Sequence, residues 1–80
     1  MPLSETLRSD AEQWEAEARY WAGRGEALAG EVSYYLRHGD EAAADATELR
    51  RRRAADKWLQ FTRMAEDCRR RASDIRRTAA

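Results

Sequence analysis

Arg37-His38-Gly39-Asp40-Glu41 is the one strong interruption in a chain of 80 residues otherwise patterned for helix. Glycine enters the left-handed backbone region that ends a helix at no steric cost, and an aspartate side chain caps the following helix by accepting a backbone N–H. The stretch therefore predicts a tight turn at 38–40. Its charges agree, since Arg37 and His38 fall at the negative end of the preceding helix, and Asp40 and Glu41 at the positive end of the next. Pro2 and Ser4 mark the other start, as an early proline and a cap. The expected elements are a helix over about 4–37, the turn, and a second helix over about 41–78, in a single domain of residues 1–80.

Upstream of the turn, Leu7, Ala11, Trp14, Ala18, Trp21, Gly25, Leu28, Val32 and Tyr35 recur at alternating spacings of four and three. Downstream, Ala44, Thr47, Arg51, Ala54, Trp58, Phe61, Ala65, Cys68, Ala72, Ile75 and Ala79 keep the same rhythm, with Arg51 its one charged member. Unbroken heptads of this kind predict a narrow left-handed seam between helices. Folding the chain at Gly39 pairs residues whose numbers sum to 79, such as Trp14 with Ala65, Ala18 with Phe61, Gly25 with Ala54 and Leu28 with Arg51. Several layers then set a large residue against a small one, as close packing at fixed helix separation requires. Trp21 opposite Trp58 breaks the rule, and Gly25 with Ala54 in the next layer offers room for the two indoles. The expected fold is all-α, an antiparallel two-helix coiled-coil hairpin.

Two helices with one seam leave most of each helix wet, and a core this small barely balances chain entropy. Ala22, Ala29, Leu36, Ala55, Leu59 and Thr62 lie along one flank of the seam, where a second hairpin would cover them. The expectation is a homodimer forming a four-helix bundle. Flanking charges mostly agree with the register: Asp10 falls near Arg71 and Glu31 near Arg50, although Arg24 near Lys57 does not.

Fifteen basic residues balance fifteen acidic ones, so no net field draws the whole chain to nucleic acid or an anionic membrane. Residues 1–40 nevertheless hold eight acids and four bases, and residues 41–80 seven acids and eleven bases, so the halves carry −4 and +4. No apolar run approaches the ~20 residues of a membrane span, and the amino terminus lacks the basic start and apolar stretch of a signal peptide. Cys68 is alone, which excludes an internal disulfide and favours a cytoplasmic site.

Catalytic chemistry finds no constellation. His38 lies in the turn and Cys68 opposite Ala11 toward the other end of the rod, so one hairpin cannot join them as base and nucleophile. Zinc and di-metal carboxylate sites need ligand repeats that are missing, and Gly23, Gly25 and Gly30 sit in a helical pattern rather than a phosphate loop. No enzyme, metal, cofactor, small-molecule substrate or membrane contact is expected.

Arg50, Arg52 and Arg53, with Arg69, Arg70 and Arg71, are the candidate nucleic-acid contacts, while Arg51 points inward to Leu28. Acids at helical spacing neutralise part of this charge: Glu48 and Asp56 stand one turn from Arg52, and Glu66 and Asp67 precede Arg70 and Arg71. Tyr20 and Tyr34, two heptads apart on the outer side of the first helix, are candidate contact residues or cover for Arg and Lys stems of the second helix.

Trp21-Ala22-Gly23 resembles the Trp-x-Gly signature of a family of small secreted helical hairpins. In that family the triplet occupies the interhelical turn, whereas here it falls within a helix, so secretion is not carried over. Arginine-rich usage, with Lys57 the only lysine, points to a GC-rich bacterial or phage genome. The functional expectation is a non-catalytic protein-protein interaction module, such as a small phage or mobile-element inhibitor or adaptor acting on a host protein. An Arg-dependent nucleic-acid binder and a structural assembly subunit are the alternatives.

Overall fold

The computed structural model describes residues 2–79; positions 1 and 80 of the expected domain lie outside the described residues. Two helices, α1 (Leu3–Arg37) and α2 (Glu41–Ala79), pack against each other as an antiparallel hairpin. The product is a rod 62 Å long and 14 by 13 Å across.

The turn forms for the reasons its residues suggest. Gly39 has φ +74°, and the Asp40 amide donates to the Tyr35 carbonyl at 2.9 Å while the Gly39 amide donates to Leu36 at 3.2 Å. That pair of bonds closes the last turn of α1 around a left-handed glycine. Asp40 Oδ1 then accepts from the Ala43 amide at 3.1 Å and starts α2. At the far end the chain departs from expectation. The helix begins at Leu3, so Ser4 is inside it and caps nothing; the Pro2 carbonyl instead accepts from the Glu5 and Thr6 amides.

The seam is thin. Ala11, Ala18, Leu28, Ala44, Thr47, Ala54, Ala65 and Ala72 are buried, and six of these eight are alanine, so close helix approach rather than bulk fills the interior. Leu7, Trp14, Trp21, Gly25, Val32, Tyr35, Phe61, Cys68 and Ile75 are half-buried at the heptad positions between them. Trp14 stacks on Phe61 with ring centroids 5.5 Å apart and 13° between planes. At the layer of Gly25 and Ala54, a Cβ placed on Gly25 would lie 4.0 Å from that of Ala54. This is ordinary van der Waals distance, so packing against α2 does not require a glycine there.

Trp58 departs from its expected place. It sits at a seam position by spacing yet remains 43% exposed, whereas Trp21 opposite it is half-buried with its ring edge-on to Tyr20 at 5.1 Å. One layer between closely spaced helices has no volume for two indoles, and the space at Gly25 beside Ala54 holds about a methyl group, too little for a second ring.

Candidate interaction faces

The first face lies along one side of the seam. Ala22, Ala29 and Ala55 line a groove with Trp21, Gly25 and Trp58, closed at its polar edge by Glu26 and Arg51. The groove continues toward the chain termini through Thr62, Ala18 and Ala65, where Glu15 and Arg69 bridge the two helices. Leu59 stands one turn beyond Ala55 and is 39% exposed; Leu36, one heptad beyond Ala29, is 59% exposed. The six flank residues singled out by spacing thus share one side of the rod. Trp58 joins them, and sequence reasoning had placed it inside the seam. The signal that could have found it was the violated size rule in its own layer.

Arg51 is half-buried at its seam position, with its guanidinium turned to its own helix. Its Nε and Nη2 donate to Glu48 at 2.8 and 2.5 Å, and Arg52 Nε reaches the same carboxylate at 3.5 Å. The Arg51 hydrogen bond, against a smaller opposing desolvation and with the Arg51 and Arg52 charges adding to it, holds the Glu48 carboxyl below its ordinary value. A depressed folded-state value means the pair's contribution is complete above the ordinary carboxyl pKa and is lost as pH falls through the folded value. Thermal melts from about pH 6 down to pH 3 should therefore show a small acid-side loss of stability, and Glu48→Gln should flatten that limb. An unchanged limb in the variant would remove Glu48 as its source.

The candidate nucleic-acid arginines divide into two groups. Arg69 donates to Glu15 from Nε at 2.9 Å, Arg70 pairs with Asp67 at 2.6 Å, and Arg71 reaches the same Asp67 at 3.2 Å rather than Asp10. Arg52 is held by Glu48. Arg50 and Arg53 are different, since among the described residues neither makes an ion pair, and the expected approach of Glu31 to Arg50 does not become one. Both instead line a groove on the opposite side of the seam, with Arg24 and Lys57 at the rim and Trp21, Leu28 and Ala54 at the floor. Spacing had flagged Arg24 beside Lys57 only as a mismatch of register, and had not gathered the four cations into one site.

Tyr20 and Tyr34 are 60% and 52% exposed. Tyr20 meets Trp21 edge-on, and Tyr34 meets Tyr35 edge-on at 5.6 Å and stacks on His38 at 4.1 Å. His38 Nδ1 lies 2.8 Å from the Tyr34 carbonyl, so the imidazole belongs to the helix end. Cys68 is a half-buried free thiol. Among the described residues no cluster of His, Cys, Asp or Glu is arranged for a metal ion, and no helix is long and apolar enough to cross a membrane. Comparison with family models, curated proteins and solved structures finds no match to this chain.

Proposed function

We propose that this chain is a non-catalytic helical interaction module that docks through the flank bearing Ala22, Ala29, Leu36, Ala55, Trp58 and Leu59, with a second copy of itself as the first occupant. The observation that carries this is the indole of Trp58, left 43% exposed on a strip of alanine and leucine. A tryptophan in that setting is the residue type that dominates binding energy, because it brings a large apolar area at low entropic cost. The alanines beside it leave no long side chains in the way, so another helix can lie close, as in a four-helix bundle. A thin alanine seam also gives the hairpin reason to gain burial by association.

Sedimentation equilibrium at micromolar concentration tests the reading. The wild type is expected to dimerise and to melt at a temperature that rises with concentration. Trp58→Ala should keep its helicity, because the indole is the more exposed of the two in its layer, and weaken the dimer by about thirtyfold or more, the equivalent of ~2 kcal/mol for an interface anchor. A folded monomer across the whole range refutes self-association. Dimerisation untouched by Trp58→Ala moves the contact to another surface.

A further inference from the structure

The groove on the opposite flank is charged where the rest of the seam edge is balanced. Arg24 and Lys57 occupy flanking positions that face each other across the helices, whereas on the other flank the charges that face each other, nearer the chain termini, form the Glu15–Arg69 bridge. Arg50 and Arg53 add two more cations to the same rim, and among the described residues none of the four makes an ion pair. The α2 carboxylates Glu48, Asp67 and Asp74 are committed to Arg51, Arg52, Arg70, Arg71 and Arg77 instead. Like charges set together at this spacing destabilise the fold slightly, and a sequence consistent elsewhere tends to break its own rules where something binds.

We infer that this groove receives the acidic face of an amphipathic helix from a partner protein, carboxylates on the four-cation rim and aliphatic side chains against the half-buried Trp21. The charge is complementary, and arginine in particular presents a planar fork that fits a carboxylate. Trp21 is the one floor residue with exposed surface, since Leu28 and Ala54 are buried, and a helix that carries apolar side chains beside its carboxylates covers that indole while meeting the rim. Position argues the same way. Glu17 and Glu31 stand one heptad before and after Arg24 along the same edge of α1, so a polyanion running along the rod would meet acid on either side. A short helix crossing the seam delivers two or three carboxylates at one place. The site does not depend on the Trp58 flank, and a dimer formed there leaves it open.

Fluorescence anisotropy with a labelled synthetic amphipathic helix of Glu, Leu and Ala tests this. The wild type is expected to bind the peptide in low salt and to ignore its counterpart with every Glu replaced by Gln. Lys57→Glu should weaken binding at least tenfold, Arg24→Gln should weaken it in the same direction, and Lys57→Glu should melt higher by roughly 2 °C or more once the repulsion is relieved. That opposite movement of stability and affinity separates a binding site from a structural role. Failure of the wild type to bind, equal binding of the Gln peptide, equal binding by Lys57→Glu, or tighter binding of a thymidine oligonucleotide overturns the inference. Sedimentation of Lys57→Glu should match wild type, which keeps this result distinct from the fate of the Trp58 face.

Discussion

Leu28→Ala is expected to unfold the hairpin, or to bring it to the edge of unfolding at room temperature. Leu28 is 2% exposed and is the one long aliphatic side chain among the eight buried residues; the others are six alanines and Thr47. Its truncation removes the transfer free energy of the lost atoms and leaves a void that helices held by their neighbours close only in part, together costing about 2–5 kcal/mol. A domain of this size with a single narrow seam has a total stability of about the same order. Circular dichroism during urea titration measures it, with Leu7→Ala as a comparison at a half-buried position near the open end of the hairpin. A Leu28→Ala midpoint close to wild type would mean that the half-buried aromatics, chiefly Trp14 on Phe61, carry the fold instead.

The combined variant Gly23→Ala, Gly25→Ala and Gly30→Ala should move stability strongly the other way. Each glycine lies within α1, where alanine is better by up to ~1 kcal/mol because it has less backbone freedom to lose. A Cβ at Gly23 or Gly30 meets nothing within 4 Å, and one at Gly25 makes an ordinary 4.0 Å contact with Ala54. The gains should therefore nearly add, to about 2–3 kcal/mol, and raise the melting temperature by roughly 10 °C or more at fixed protein concentration. A fall in the melting temperature of Gly25→Ala alone would show that the Gly25–Ala54 layer tolerates no added methyl group. Should the triple variant be more stable yet fail to dimerise, the glycines are serving close approach of a second helix at a cost in stability.

Much of the architecture was legible because its determinants are local and periodic. The helix end at Gly39 follows from the freedom of one residue, and the cap at Asp40 from one side chain and one amide. The seam follows from a rhythm of three and four that any helix of 3.6 residues per turn converts to a stripe, and the eight buried residues all belong to it. The flank of Ala22, Ala29 and Ala55 was equally accessible, because residues at heptad spacing share a side of the rod.

What spacing could not supply was the outcome of competition between residues on different helices. Trp21 and Trp58 have equal claims to one layer by periodicity; volume across the seam leaves Trp58 outside, and with it the proposed contact residue. Ion pairs behave likewise, since Arg71 has Asp10 and Asp67 as candidates and takes the one on its own helix, while Arg51 swings to Glu48. Arg51 and Arg71 pair within their own helix at a spacing of three or four, whereas Arg69 crosses the seam to Glu15 although Glu66 stands three residues away, so spacing along one helix does not choose the partner. Periodicity along a single chain thus determined the two helices, their turn and their shared stripe, because these depend on short-range backbone geometry. The tertiary structure alone decided which aromatic stays outside and which cations remain without acids, because both depend on how much space and charge two packed surfaces can jointly accommodate.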